Sequence, residues 1–149
     1  MGITLRSWSP DGSTILFRKD EAGKSHTYQV AAHVEGERLP DAKPLVTGMA
    51  SELGGRVSPD GRWIAFVSDE TVKLEVYVAA YGAGGTVGMP VMVSVGGGRW
   101  PRWSRDGKRL FYASRQSRVM SVALQTQPTL SASAPVPRWN LEQLRINDL

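Results

Sequence analysis

A short hairpin motif recurs three times along this chain of 149 residues. Three segments align without gaps, and each carries Ser, Asp and Gly at the same positions: 8–17, 57–66 and 103–112. The aspartates of successive copies are 49 and 46 residues apart: Asp11, Asp60 and Asp106. Because strand-forming residues dominate each copy, a period of this length predicts β-propeller blades of about four strands each.

The repeated Asp-Gly pair indicates a tight turn between two strands. Two-residue hairpins of this kind need positive φ at both turn residues, and we expect this of each Asp and Gly. Pro10 and Pro59 precede the pair, which suits the end of a strand ladder because proline donates no backbone hydrogen bond. Arg105 replaces the proline in the third copy. The turn accounts for all three aspartates, so they are not interpreted as a ligand set.

The run that follows each turn is apolar on both faces. In the second copy, alternation places Trp63, Ala65 and Val67 on one face. It places Ile64 and Phe66 on the other face. A strand that is buried on both faces fits a blade sandwiched between two neighbouring blades.

The predicted architecture is a single all-β domain over residues 1–149, with the fold of a partial β-propeller. It contains three consecutive four-stranded antiparallel blades, at approximately 4–48, 52–95 and 99–136. Residues 137–149 form either a C-terminal tail or the start of a further blade. In the tail alternative, Asn140 caps a short helix that carries Leu141 and Leu144 on one face.

The repeated residues resemble the TolB-type propellers, which are WD-repeat-like and carry a Trp-Ser-Pro-Asp-Gly core followed by an Ile-Ala-Phe-like strand. The resemblance extends over about residues 4–136. Segments 66–70, 75–78 and 96–107 resemble the propeller found C-terminally in many bacterial eukaryotic-type serine/threonine kinases. That resemblance implies a sensor or interaction module. Propellers of this type also form the N-terminal domains of prolyl-oligopeptidase-like peptidases.

The catalytic motifs of those larger proteins are absent from this sequence. There is no kinase glycine-rich loop with its lysine, no His-Arg-Asp loop, no Asp-Phe-Gly and no Gly-x-Ser-x-Gly elbow. We therefore predict that the chain is not an enzyme, with no catalytic residues and no cofactor. Cysteine is absent, and His26 and His33 have no third ligand candidate near them in sequence, so no metal site is predicted.

The sequence leaves the compartment open. No stretch reaches the roughly 18 apolar residues of a membrane span, so membrane insertion is not predicted. The first residues lack the charged and apolar regions of a signal peptide. The chain is thus cytoplasmic as it stands, or periplasmic or extracytoplasmic if it is a fragment of a larger protein.

Candidate binding residues lie where basic and aromatic side chains meet on the expected inner strands. Arg99, Trp100 and Arg102 form the sharpest such cluster, and Arg56 holds the position equivalent to Arg102 in the second copy. We expect them to face the mouth of the propeller, where Trp and Arg are typical binding anchors. Trp8 and Trp103 share another repeat position and are expected in the core.

These features favour a non-catalytic β-propeller module that binds a protein or peptide partner. The alternative is a severed sensor or regulatory propeller of a bacterial serine/threonine kinase or of a prolyl-oligopeptidase-like peptidase. Nucleic-acid binding is a weaker alternative, because residues 99–118 contain seven Lys or Arg residues and only one acidic residue. Closed propellers have about four to eight blades, so three blades predict either a homo-oligomer that completes the ring or a fragment that is stable only within a longer polypeptide.

Overall fold

The computed structural model describes residues 2–33, 36, 40–46 and 50–143, with only the backbone of Glu52. Its strands form three antiparallel sheets that follow one another along the chain. The first contains β1 (Gly2–Trp8), β2 (Thr14–Glu21), β3 (Lys24–Ala31) and β4 (Lys43–Pro44). The second contains β5 (Glu52–Val57), β6 (Trp63–Ser68), β7 (Glu75–Ala80) and β8 (Val91–Met92). The third contains β9 (Gly98–Trp103), β10 (Arg109–Ser114), β11 (Arg118–Gln125), β12 (Ser131–Ala132) and β13 (Val136–Asn140).

The fold class is the predicted one: an all-β chain of consecutive four-stranded blades. In the third sheet the outermost position is shared by two short strands. β12 pairs with the end of β11, and β13 pairs with its beginning. Residues 137–140 therefore extend the third sheet, and a single turn of 3-10 helix, Leu141–Gln143, follows. The Asn140 side chain caps that turn, because its Oδ1 accepts a hydrogen bond from the Glu142 amide at 3.0 Å. Leu144, predicted on the same helix, lies outside the described residues.

Each repeated hairpin is closed by the same set of hydrogen bonds. In the first copy the Gly12 amide donates to the Ser9 carbonyl at 2.9 Å, which defines a four-residue turn with proline at its second position. The Ser13 amide donates to Asp11 Oδ1 at 3.0 Å, and the Thr14 amide donates to Ser9 Oγ at 3.0 Å. Equivalent bonds of 2.9–3.1 Å recur in the other two copies.

The expectation of positive φ at both Asp and Gly is wrong for Asp. The glycines have φ near +70° in all three turns, whereas no Asp of the motif does. The reason is that the turn has four residues: Pro-Asp fill its ordinary central positions, and only the glycine that follows must enter the left-handed region. Serine and aspartate then satisfy the backbone groups that the turn leaves unpaired.

The second sheet lies between the other two and is buried on both faces, as its alternation predicts. Ala65 and Val67 belong to a core shared with Leu110 and Val122 of the third sheet. Ile64 and Phe66 belong to a second core shared with Leu16 of the first sheet. The opposite faces of β6 thus join the three sheets into one structure.

The two repeat tryptophans have different surroundings. Trp103 is partly buried against the second sheet, and its indole Nε1 donates to the Arg56 carbonyl at 2.8 Å. Trp8 is 57% exposed, so its predicted core position is wrong. Trp103 packs against the second sheet, whereas no other sheet among the described residues covers Trp8 on the first sheet.

Candidate functional site

The inner strands β1, β5 and β9 are neighbours. The pairing of each with the next strand of its own sheet is irregular at the same level. The pairing of β1 with β2 shifts at Arg6, between Leu5 and Ser7. The pairing of β5 with β6 shifts over residues 54–55, and that of β9 with β10 shifts over residues 100–101. A bulge changes the direction of the side chains beside it. At this level, side chains of all three inner strands therefore depart from the regular alternation between the two faces of the sheet.

Trp100 occupies the left-handed region of backbone space within its bulge. Its φ is +56°, and the residue at the equivalent position of the second sheet is Gly54, with φ of +69°. In these two sheets the position adopts a conformation that suits glycine and that costs a bulky residue about 1–2 kcal/mol. The indole is nevertheless 68% exposed, so burial does not offset that cost. Such strain in an exposed aromatic residue is typical of a functional position.

A cavity of about 170 Å³ opens beside these bulges. All four predicted binding residues line it: Arg56, Arg99, Trp100 and Arg102. Arg6 of β1 and Arg18 of β2 line it as well. We call this cavity with its five arginines the arginine pocket. No acidic side chain of the described residues lines it.

Sequence reasoning missed Arg6 and Arg18. Arg6 is one residue out of step with the repeat position of Arg56 and Arg102, which Ser7 occupies in the first copy, and it lies in the bulge between Leu5 and Ser7. Arg18 lies on β2 and reaches the pocket from the next strand. The alignment of the three copies contains no signal for either residue, since bulges are set by tertiary packing.

Arg56 links β1 and β5 beside the pocket through hydrogen bonds to backbone carbonyls. It is half-buried, and its Nη1 donates to the Arg6 carbonyl at 2.5 Å and to the Gly55 carbonyl at 3.3 Å. Burial lowers the pKa of Arg56, and the positive charges of Arg102 and Arg6 lower it further. These shifts show that the guanidinium groups are close enough to repel one another.

The positive charge of the pocket is only partly neutralised. Arg18 forms an ion pair with Asp20, with an Nη2–Oδ2 distance of 2.8 Å. Arg102 donates to the Pro101 carbonyl at 2.9 Å. Among the residues described, no carboxylate forms an ion pair with Arg56, Arg99 or Arg102. The pocket therefore has an excess of positive charge and is suited to an anionic ligand.

Two buried donors of the pocket lack an acceptor within the described part of the chain. Arg6 Nε and Arg18 Nε are both inaccessible to solvent, and neither has a hydrogen-bond partner. Buried polar atoms are nearly always satisfied in folded proteins, and the exceptions need an explanation. Both guanidinium groups line the pocket, so an anion bound there would compensate their charge.

A second cavity of about 300 Å³ lies on the other side of Trp100. Arg99 and Trp100 line both cavities. The second one is completed by Ala113, Arg115 and Leu141, among others, so it combines apolar surface with a further cation. Trp100 therefore separates the arginine pocket from a partly apolar cavity.

The largest of these cavities, about 740 Å³, lies between the hairpins of the first and second sheets. Its carboxylates, Asp11 and Asp60, accept the hydrogen bonds that close their own turns. The Ser9 hydroxyl lowers the pKa of Asp11 to about 2. Burial raises the pKa of Asp60, but hydrogen bonds from Ser58 and Arg62 outweigh it and lower the pKa overall. Both aspartates are thus occupied by turn structure, and we place the candidate site in the arginine pocket.

Metal ligands do not cluster in the described part of the chain. No group of three His, Asp or Glu side chains there is arranged to hold a metal ion. His26 lies on β3 opposite Lys19, and His33 is exposed beyond the end of that strand. Within the same residues, no helix is long and apolar enough to cross a membrane.

Comparison with solved structures supports the TolB-type propeller fold. TolB from Acinetobacter baumannii is 20% identical and superposes with a TM-score of 0.63 over 94% of this chain. A protein assigned as TolB from Agrobacterium tumefaciens is 18% identical, with a TM-score of 0.64 over 92% of this chain. A protein assigned as a 6-phosphogluconolactonase from Bacteroides uniformis is 18% identical, with a TM-score of 0.61 over 90%.

This chain spans only part of those neighbours: 33% of the Acinetobacter TolB, 50% of the Agrobacterium protein and 41% of the Bacteroides protein. No protein-family model matches the sequence. No curated protein matches it either. At these identities the structural neighbours establish the fold and leave the ligand to be argued from the site itself.

Proposed function

We propose that this chain is a non-catalytic propeller module that binds a protein or peptide partner through the arginine pocket. The observation that carries the proposal is the convergence of five arginines from β1, β2, β5 and β9 beside one strained, exposed tryptophan. Arginine and tryptophan are the residues most enriched at binding hot spots. The excess positive charge favours an acidic segment of the partner.

The arrangement of the basic residues favours this partner over a nucleic acid. Arg99 and Arg102 lie at the pocket, but Arg105 and Lys108 lie in the β9–β10 hairpin. Arg115 joins Arg99 and Trp100 at the second cavity, and Arg118 begins β11. A single-stranded nucleic acid needs a continuous basic groove with several stacking platforms, whereas the arginine pocket and the second cavity are lined by one aromatic residue, Trp100.

A charge-reversal experiment tests the proposal. The double variant Arg99→Glu/Arg102→Glu is compared with Arg105→Glu/Lys108→Glu, which changes the net charge equally on the neighbouring hairpin. Anisotropy of a labelled aspartate-rich peptide reports binding. We expect the pocket variant to weaken binding at least tenfold and the hairpin variant to change it less than threefold. Equal weakening by both would show that only overall charge matters and would contradict a site at the pocket.

The second candidate function is a regulatory propeller of a larger enzyme. The resemblance of segments 66–70, 75–78 and 96–107 to kinase-attached propellers favours it, as does the partial coverage of the structural neighbours. In that setting the arginine pocket is the sensor site, and an attached kinase or peptidase domain carries the chemistry. Sequencing of the transcript around this coding segment tests it, because an in-frame kinase or peptidase domain is expected and its absence would contradict this candidate.

A further inference from the structure

We infer that the anion recognised by the arginine pocket is a phosphate monoester on a partner side chain, with an adjacent apolar residue held in the second cavity beside Trp100. This inference rests on the proposed function, since it specifies the ligand of the same site. It follows from the number of charges in the pocket, from its unsatisfied donors, and from the two cavities that share Trp100.

The charge of the pocket calls for more than one negative charge. Asp20 forms an ion pair with Arg18 and also attracts Arg6, which leaves three guanidinium groups without a carboxylate partner among the described residues: Arg56, Arg99 and Arg102. A carboxylate brings one negative charge and two oxygens. A phosphate monoester brings about 1.5–2 negative charges at neutral pH and three strong acceptor oxygens. The planar fork of arginine pairs with phosphate oxygens in bidentate fashion, so the charge and the geometry agree.

The unsatisfied donors point to the same group. Arg6 Nε and Arg18 Nε are buried without acceptors and come from adjacent strands, β1 and β2. Arg102 approaches from β9, two sheets away in chain order. Guanidinium groups that line one cavity from separate sheets suit a tetrahedral group, because its oxygens point in different directions.

The volume of the pocket limits how the group is presented. About 170 Å³ holds a phosphate group with the end of the side chain that bears it. Arg99 and Trp100 lead from there into the cavity of about 300 Å³ that includes Leu141. A residue next to the phosphorylated one can therefore pack against the indole on its far side.

The first experiment separates phosphate from carboxylate by NMR titration of the whole chain. The probes are phenyl phosphate and benzoate, which present different anions on the same ring. At pH 7.5 we expect phenyl phosphate to bind at least tenfold more tightly, with shifts at the Trp100 indole and the arginine Nε signals. Between pH 7.5 and pH 5 its affinity is expected to fall several-fold, because the second phosphate proton binds near pH 6. Benzoate is expected to change little, since the described titratable residues lining the pocket are the five arginines.

Variants then assign the effect to the pocket. Arg102→Ala is expected to weaken phenyl phosphate at least tenfold, while its matched control, Arg105→Ala on the exposed hairpin, leaves the affinity within twofold. Trp100→Gly is expected to weaken phenyl phosphate more than inorganic phosphate. Two phosphoserine peptides, with leucine or glycine beside the phosphoserine, test the second cavity, and we expect the leucine peptide to bind several-fold more tightly.

The outcomes distinguish this inference from the proposed function. Equal affinity for phenyl phosphate and benzoate, together with loss of both in Arg102→Ala, would overturn the phosphate ligand and leave the anionic site in place. Equal loss in Arg102→Ala and Arg105→Ala would overturn both. Tighter binding of single-stranded DNA than of the phosphoserine peptides would overturn the peptide ligand in favour of a nucleic acid. Equal binding of the two peptides would overturn the role of the second cavity.

Discussion

At the scale of single residues, Trp100 is the clearest conflict between stability and function in this chain. Its backbone adopts the conformation that the second sheet gives to Gly54. The exposed indole gains little from burial in return. A residue that weakens the fold and yet borders two cavities is best explained by the contact that it offers to a ligand.

This conflict predicts that Trp100→Gly stabilises the protein. Removing the left-handed strain of about 1–2 kcal/mol outweighs the entropy cost of glycine, about 0.5–1 kcal/mol. We expect the free energy of unfolding, measured by urea denaturation, to rise by about 0.5–1 kcal/mol.

Trp139→Gly is the matched control for that measurement. Trp139 is similarly exposed at 56%, but it lies in β13 with an ordinary φ and stacks on Phe111. We expect Trp139→Gly to lower the free energy of unfolding. A loss of stability at both positions would show that the left-handed backbone of Trp100 carries no strain.

At the scale of elements, the Ser-Pro-Asp-Gly hairpin is the unit that builds each blade. Each copy uses the aspartate as a hydrogen-bond acceptor for its own turn, and the pKa values of all three aspartates are lowered. The pKa of Asp106 is lowered chiefly by the Ser104 hydroxyl, as the pKa of Asp11 is by the Ser9 hydroxyl. Ionised aspartate is therefore part of the folded turn.

The hairpin predicts a specific loss of stability in acid. The pKa of Asp11 is about 2 in the folded chain and roughly 3.9 in an unfolded one. Between these values the unfolded chain binds more protons, so the stabilisation is complete above about pH 4 and disappears as the pH falls through about 2. The stability difference between the native chain and Asp11→Asn, measured by urea denaturation, is expected to be largest at neutral pH and to vanish near pH 2.

Glu70→Gln provides the control for this titration. Glu70 is exposed and follows β6. Its replacement by glutamine removes one negative charge, as Asp11→Asn does, and leaves the repeated turns unchanged. Its effect on stability is expected to be small and nearly constant over the same range. A stability difference for Asp11→Asn that did not change with pH would contradict the role of the ionised carboxylate, because asparagine retains an amide oxygen that can accept the same bonds.

At the scale of the whole molecule, the first and third sheets each have an exposed apolar face among the described residues. On the first sheet Ile3, Leu5 and Trp8 are 57–69% exposed. On the third sheet Trp139 and Val136 are 56% and 46% exposed. The second sheet has no such face, because its neighbours cover both sides. Exposed apolar faces of this kind favour association.

This exposure supports the proposal that two copies complete a six-sheet ring. We expect light scattering at tens of micromolar to give twice the mass of the chain, and the double variant Leu5→Lys/Trp8→Lys to give the monomer. Met89→Lys is the control, since Met89 is 89% exposed away from both apolar faces. A soluble monomer of the native chain at that concentration would contradict the proposal.

Much of the fold was predictable because it depends on local and repeated signals. The three turns, the alternation around β6 and the class of sheet all follow from spacing and from backbone preferences within each copy. The outer strands β4, β8 and β12 contain two residues each, which is too short for alternation to mark their ends in the sequence. The exposure of Trp8 could not be predicted from its repeat position, because burial there depends on an adjacent sheet.

The sequence by itself determined that this chain is built from propeller blades, and it marked Arg56, Arg99, Trp100 and Arg102 as a group. Turn chemistry and side-chain alternation act over a few residues, so they can be recognised without the tertiary structure. Only the tertiary structure decided that Arg6 and Arg18 join that group, that two of their donors are buried without acceptors, and that Trp100 stands between two cavities. The physical reason is that bulges on three separate strands set these positions, and their alignment arises only when the sheets pack together.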